Sequence, residues 1–269
     1  MDQREQGKAI VITSGKGGVG KTTTTANLGT ALALLGKKIC LIDADIGLRN
    51  LDVVMGLENR IVYDLIDVVE EQCRLEQALI KDKRNENLVL LPAAQTRDKD
   101  AVSEEQMKEL ILKLKERMDY ILVDSPAGIE QGFRNAIAGA DKAIIVTTPE
   151  VSAVRDADRI IGMVEAEGVN DPDLIINRIR QDMVDRGDMM NIEDMIEILA
   201  IDILGVVPED EGIVVSTNKG EPIVLSNNHK AGEAFNNIAR RLEGEDVPLM
   251  DLNNSDSILA KFKKFVGLS

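Results

Sequence analysis

Gly15, Gly20, Lys21 and Thr22 meet the spacing G-x-x-x-x-G-K-[ST] within the run GKGGVGKT. Residues in this pattern hold a phosphate group: backbone N–H groups wrap it, and the following helix adds its positive N-terminal end. Gly17, Gly18 and Gly20 allow backbone angles and close approach that a Cβ would forbid, and Val19 lies in the same cradle. Lys21 is placed to bridge the outer phosphates, the Thr22 hydroxyl to ligate Mg²⁺, and Thr23 to reach an inner phosphate. The loop carries one lysine more than the pattern requires, because Lys16 fills a variable slot directly after Gly15. Lys21 already serves the nucleotide of its own loop. A second lysine this close implies another phosphate to meet, such as one held by a partner subunit.

Carboxylates supply the other half of the chemistry. Asp124 ends the apolar run YILVD and opens SPAG. An acid in that place fits the second carboxylate of nucleotide hydrolases, directed towards Mg²⁺ through water. Asp43 and Asp45 close LIDADIG, where Gly47 permits a sharp turn. Beside phosphates, these two would position Mg²⁺ and the attacking water; the plainer alternative is an aspartate that only caps a turn.

These residues need strands that end together and a helix that starts at the loop. Lys8–Thr13 reads as a buried strand, with the glycine loop next and an Ala- and Leu-rich helix over Thr22–Leu35. Ile39–Asp43, Asn87–Leu91, Tyr120–Asp124, Lys142–Thr147, Leu174–Asn177 and Ile203–Val207 read as further short strands. Helical patterns at Glu104–Met118, Ala153–Glu165 and Asn191–Ile201 lie between them, and Lys230–Leu242 is a last helix. Strands alternating with helices predict an α/β fold with a mostly parallel twisted sheet covered on both faces. Ligands on such sheets bind beyond the carboxyl ends of the strands, which is where the glycine loop and the acids fall.

Composition narrows the class. The 269 residues are 44% apolar, enough for one large core, with a formal net charge of −15. That charge disfavours non-specific DNA binding, whose affinity comes mostly from phosphate neutralisation. Cys40 and Cys73 have no C-x-x-C neighbour, so neither a metal site nor a disulfide framework is indicated. The start MDQREQG lacks an apolar signal core, and no apolar run approaches the ~20 residues of a membrane span. A cytoplasmic protein is expected. His229 is the only histidine and reads as a surface residue at the start of a helix.

The C-terminus differs from the rest. Residues 1–242 read as the domain, 243–256 as an acidic, turn-rich linker, and 257–269 as a separate helix. The last stretch holds Lys261, Lys263 and Lys264, no acid, and two of the four phenylalanines. Without those lysines the remaining chain carries −18. At 100° per residue, Ile258, Leu259, Phe262, Phe265 and Val266 share a sector of about 120°, with the lysines outside it. Such a helix would lie in a membrane interface, or alternatively dock on its own domain.

Taken together, GKGGVGKTT, IDADIGLRNLD (42–52), YDLIDV (63–68), QALIKDKR (77–84), LPAAQTRDKD (91–100), DSPAGIE (124–130), PEVSAVRDADRI (149–160) and VVPED (206–210) resemble the deviant Walker A family of ATPases. The likeness runs to about Arg241 and reappears in the tail; DIGLRNLD and TRDKD point to the cell-division branch of the family. It implies an ATPase with ATP and Mg²⁺ as cofactors, dimerising with ATP. Lys16 corresponds to a signature lysine that crosses the dimer to the partner's phosphates, acting as an arginine finger does. By the same resemblance Asp45 holds the attacking water and Asp124 orients Mg²⁺, while Asn177, Arg178, Pro208, Glu209 and Asp210 lie where the family grips adenine. A tail on anionic phospholipid at the inner face of the membrane, a division-inhibitor partner and a positioning partner are implied as well.

Three other readings compete. A DNA-partition ATPase of the ParA type would need a basic surface on the dimer. A metallocluster carrier resembling the nitrogenase iron protein would need bridging cysteines. An inert ATP-binding scaffold would show no turnover.

Overall fold

Apolar runs without polar interruption build strands buried on both faces, and these form the centre of the molecule. The computed structural model describes residues 6–95, 97, 101–128, 131–250 and 252. Among them the strands are β1 (Lys8–Thr13), β2 (Ile39–Asp43), β3 (Ile80–Lys81), β4 (Leu88–Leu91), β5 (Tyr120–Asp124), β6 (Lys142–Thr147), β7 (Asp173–Ile179) and β8 (Asp202–Pro208). They form one sheet in the order β3-β4-β2-β5-β1-β6-β7-β8. Every pairing is parallel except that of β3 with β4.

Successive residues of a strand face opposite ways, so each central strand feeds two cores. Ala9 and Val11 of β1, Cys40 and Ile42 of β2, and Ile121 and Val123 of β5 join one apolar cluster. Ile10 and Ile12, Ile39 and Leu41, and Tyr120 and Leu122 join the other. The helices Glu104–Lys115, Gln131–Ile137, Val151–Ala166 and Ile192–Leu199 cover the first cluster. Lys21–Leu34 and Lys230–Leu242 cover the second, with Phe235 fully buried between them and the sheet. The expected mostly parallel α/β architecture is the one observed.

Several short elements escaped the sequence reading. These are β3 and the helices Leu51–Met55, Leu65–Val69, Leu75–Ala78, Gln131–Ile137, Gln181–Asp185 and Gly212–Asn218. Helices of one or two turns show too little periodicity to detect and depend on caps and tertiary contacts. Leu65–Val69 is an example: Asp64 accepts from the N–H groups of Ile66 and Asp67, and Asp67 returns the bond to Asp64 N. Arg84 fixes two others. Its guanidinium is paired with Asp82 and donates to Met55 O at 2.7 Å and to Gly220 O at 2.8 Å, joining the ends of Leu51–Met55 and Gly212–Asn218.

The stretch read as a linker begins with residues held to the domain. Arg241 donates to Leu204 O of β8 at 2.8 Å, to Val247 O at 2.7 Å and to Pro248 O at 2.6 Å. Glu243 pairs with Lys37, Arg240 pairs with Glu245, and Met250 packs on the second apolar cluster. Acidic, turn-rich composition therefore did not mean a free tether here: one guanidinium satisfies the carbonyls of an irregular strap. The tail residues Ile258, Leu259, Lys261, Phe262, Lys263, Lys264, Phe265 and Val266 lie outside the described residues, as do Asp98, Lys99, Asp100, Ile129 and Glu130. Among the described residues no helix is long and apolar enough to cross a membrane.

Arg241→Ala is expected to lower stability by about 2–3 kcal/mol, since hydrogen bonds from a charged donor are worth ~1.5–3 kcal/mol and these are partly exposed. Urea unfolding measures the loss, and limited proteolysis should cut sooner within residues 243–250. Wild-type values in both assays would show that the strap is held by its ion pairs and apolar contacts without Arg241.

Candidate nucleotide site

Parallel register brings the predicted residues to one edge. β5 lies between β1 and β2, with Asp124 opposite Ile12 on one side and Asp43 on the other. The loops leaving these three strands therefore meet beyond their carboxyl ends. The glycine loop connects β1 to the helix Lys21–Leu34, whose first turn contains no acid and no capping side chain. Its unpaired N–H groups and dipole make that end suited to an anion. Gly20 precedes the helix at φ 104°, a left-handed conformation that a side chain resists. Gly15 is required for a different reason, because a Cβ there would sit 2.1 Å from Asp156 O.

Lys21 is 8% exposed and donates through Nζ to Ser14 Oγ at 3.0 Å. Ser14 Oγ in turn donates to Lys16 O at 2.8 Å, so the lysine and the loop brace each other. Burial lowers the Lys21 pKa, against the opposing pull of Asp124 and Asp45. Asp124 is 1% exposed and receives hydroxyl bonds from Thr22 and from Thr25, the latter at 3.3 Å. Burial pushes its pKa up, with the Asp45 charge adding to the rise while the Thr22 bond and Lys21 oppose it.

Asp43 and Asp45 do different work. Asp43 is buried and accepts from Asp45 N at 3.0 Å and from Leu51 N at 3.1 Å, closing the loop between β2 and the next helix. Burial raises its pKa, and the neighbouring Asp124 charge raises it further. Asp45 is half-buried, and its charge is felt by Lys21, Asp43 and Asp124 alike. Asp124 and Asp45 thus act on one buried lysine, with Asp43 beside Asp124 on the neighbouring strand, leaving a site rich in carboxylates. Those carboxylates, and the Thr22 hydroxyl on Asp124, fit a Mg²⁺ ion. Such an ion takes one or two protein oxygens and keeps phosphate and water for the rest. No group of three or more His, Cys, Asp or Glu side chains that could hold a metal occurs among the described residues.

Lys16 faces the other way. Its side chain is 41% exposed and bonds Glu150 Oε2 at 3.1 Å and Ser152 Oγ at 3.2 Å, at the start of the helix Val151–Ala166. Neither partner was foreseen from the sequence, and only PEVS following a strand hinted at them.

The residues expected at adenine fall into two groups. Arg178, Pro208, Glu209 and Asp210 line one cavity beyond the ends of β7 and β8, together with Ile213 and Leu252. The Asp210 carboxylate is occupied there: it accepts from Gly212 N at 2.8 Å and Ala231 N at 3.3 Å, and meets His229 Nδ1 at 3.1 Å. It ties together the starts of two helices, and His229, at the surface and at the start of the last helix as expected, is its partner. Asn177 is buried and donates to Val19 O at 2.8 Å, inside the glycine loop. Ser14, Thr25 and this Asn177 contact were missed. A threonine four residues after Lys21 was the one signal available, since it shares a helix face with it.

A strand, glycine loop and uncapped helix, with carboxylates at the adjoining strand ends, define a P-loop nucleotide-binding protein. The model of the CobQ/CobB/MinD/ParA nucleotide binding domain matches residues 10–223, and the chain belongs to that family. The septum site-determining protein MinD of Bacillus subtilis is 58% identical over 265 residues, covering 97% of this chain and 99% of that protein. A chain of the MinC:MinD cell division protein complex from Aquifex aeolicus is 54% identical with a TM-score of 0.85, covering 91% of this chain and 99% of its own length. MinD from Pyrococcus horikoshii, solved with Mg-ADP, is 32% identical with a TM-score of 0.80, covering 88% of this chain and 96% of its own. The DNA-partition reading is not favoured, because the similarity is to septum proteins over nearly the full chain.

The carboxylates give a signed pH prediction. Their folded pKa values lie above the usual 3.8, so the folded state binds more protons than the unfolded state. Stability of the nucleotide-free protein therefore falls as pH rises from about 4 through the raised values. Asp124→Asn keeps the shape and removes one of these charges. Its unfolding free energy should vary less with pH and exceed that of wild type near pH 8, at about 1.4 kcal/mol per pKa unit removed. A parallel pair of profiles would show that Asp124 is not a strained acid.

Proposed function

We propose that the chain is an ATP-hydrolysing switch of the MinD type. In this reading it dimerises with ATP, attaches to the inner face of the cell membrane through residues 257–269, and helps position the division septum. It would recruit a MinC-like division inhibitor and answer to a MinE-like or other positioning protein, moving between cytoplasm and membrane. The observation that carries the reading is the division of labour between the two loop lysines. Lys21 is buried on its own loop, whereas Lys16 stands at the surface beside it, held by an exposed pair. Exposed ion pairs are worth about 0–1 kcal/mol, so a partner's phosphate can take Lys16 from Glu150 at little cost. The relatives named for septum placement, one solved in a complex with MinC, support the cellular role.

In hydrolysis, the N–H groups of residues 15–23 and Lys21 would hold the phosphates, with the adenine side against Arg178 and Pro208. Asp45 would orient the attacking water, and Lys16 of the second subunit would offset the charge that develops. Mg²⁺, held near Thr22 and Asp124, supplies charge neutralisation. Lys16→Ala should then bind ATP normally but lose partner- and lipid-stimulated turnover by 10³-fold or more, as loss of an arginine finger does. Normal stimulated rates in a phosphate-release assay would remove Lys16 from the mechanism.

Nucleotide state would act on the membrane through subunit number. Each tail lysine adds about 1 kcal/mol at an anionic surface, and each large apolar side chain ~1.5–3 kcal/mol when buried. Ordering opposes them, since isolated helices under ~12–15 residues are marginal. One tail binds weakly; two on a dimer gain roughly 10²–10⁴ by effective concentration. Co-sedimentation with anionic liposomes should therefore be strong with ATP and weak with ADP, and lost in Phe262→Glu/Phe265→Glu without loss of ATP binding. Equal sedimentation with both nucleotides would refute the switch.

A further inference from the structure

Asn177 sits where the family likeness suggests a contact to the base, yet the structure gives its side chain another task. It lies at the end of β7, 2% exposed, and its Nδ2 donates to Val19 O at 2.8 Å. Its Oδ1 accepts from Arg178 N at 3.0 Å, which fixes the orientation of the amide. Arg178 sits at φ 58°, a left-handed conformation that strains a non-glycine residue. The same side chain fills the space beside Gly20, where a Cβ would meet Asn177 Nδ2 at 2.3 Å.

The peptide bond turns this contact into a statement about phosphate binding. A trans peptide is planar, with its C=O and N–H pointing to opposite sides. Holding Val19 O towards Asn177 therefore aims the Gly20 N–H to the opposite side, away from Asn177. Gly20 has no Cβ and tolerates φ 104°, so without an anchor this peptide would be among the freest in the loop. The anchor sets its direction before any ligand arrives.

We propose that Asn177 is a positioning residue for the phosphate loop: by fixing the Val19–Gly20 peptide it prepares the site for any di- or triphosphate, independently of the base. Arg178 and Pro208, which line the neighbouring cavity, are left to contact the base. The proposal rests on the nucleotide reading of the loop. Wild-type protein that bound neither ADP nor inorganic tripolyphosphate would end that reading, and the variants below address only Asn177.

Asn177→Asp separates the two roles, because it keeps an oxygen for Arg178 N while placing an oxygen against Val19 O. Calorimetric titration of the full chain with Mg-ADP and with Mg-tripolyphosphate should show both affinities falling by a similar factor, on the order of tenfold. The preference for ATP over GTP should stay as in wild type. Hydrogen exchange in peptides spanning residues 15–22 should be faster in the nucleotide-free variant, a change that loss of a base contact would not produce. Loss of ADP binding with tripolyphosphate binding unchanged would assign Asn177 to the base and overturn the proposal. Unchanged affinity for both ligands would overturn it too. If Asn177→Asp fails to fold, Asn177→Ser, smaller and uncharged, gives the same comparison, because the ratio of the two losses decides.

Discussion

The structure depends on keeping one lysine and three aspartates together at the ends of β1, β2 and β5. Removing charges from water is expensive, and the effective penalty after relaxation is several kcal/mol for each ion. Lys21 is the buried cation among them, and burial first, then carboxylate neighbours, raises the pKa of both Asp43 and Asp124. Such an arrangement persists only where the rest of the fold over-determines it. Here the two apolar layers do so, together with a register that leaves Asp43 and Asp124 no alternative but to be neighbours. A site of this kind is unsatisfied until cation and phosphate arrive together, which is a physical reason for nucleotide and Mg²⁺ to bind as a unit.

The two lysines of the loop occupy opposite electrostatic regimes. Lys21 sits in low dielectric, where its charge acts strongly on whatever replaces Ser14 as its partner. Lys16 sits in water and salt, where its pair with Glu150 is screened. The first arrangement suits a fixed ligand. The second suits a contact that forms and breaks, and it gains strength only when a second surface excludes water from it. A dimer interface does that. The lysine's weak present bond and its strong proposed one thus follow from the same exposure.

Much of this was legible in the sequence, and the boundary of legibility is instructive. The central strands could be read because parallel, doubly buried strands are continuous apolar runs, and Lys8–Thr13, Ile39–Asp43, Tyr120–Asp124 and Lys142–Thr147 match residue for residue. The phosphate loop could be read because its chemistry is local in sequence. What could not be read is what the sheet order creates. Nothing in the chain before folding says that Asn177 lies under Val19, that Lys16 reaches Glu150, or that Asp210 is consumed in joining two helices. The first two join loops and strand ends more than a hundred residues apart in the chain, and the third closes partly on residues that the final helix brings back. The attachment of the strap after Leu242 was not legible for a related reason: among its contacts, those of Arg241 go to three backbone carbonyls, which have no sequence signature.

That strap bears on how nucleotide and membrane would communicate. The helix Lys230–Leu242 starts beside Asp210 at the nucleotide edge and ends beside Tyr120, where Glu243 bonds the tyrosine at the opposite edge of the sheet. From there the chain returns along β8, pinned by Arg241, and Leu252 lines the same cavity as Arg178 and Pro208. At ~3.3–3.6 Å per extended residue, a tether of five residues counted from Leu252 would reach at most about 18 Å. A tether counted from residue 243 would allow nearly three times that reach. Effective concentration falls roughly as the −3/2 power of tether length once the span is met, so in the proposed dimer anchoring the first half of the acidic stretch would strengthen the coupling between two tails. It also keeps the origin of each tail at the nucleotide edge, where subunits would meet through Lys16. In that proposal the constraint that would make a tail sensitive to its neighbour is built by Arg241, far in sequence from the loop.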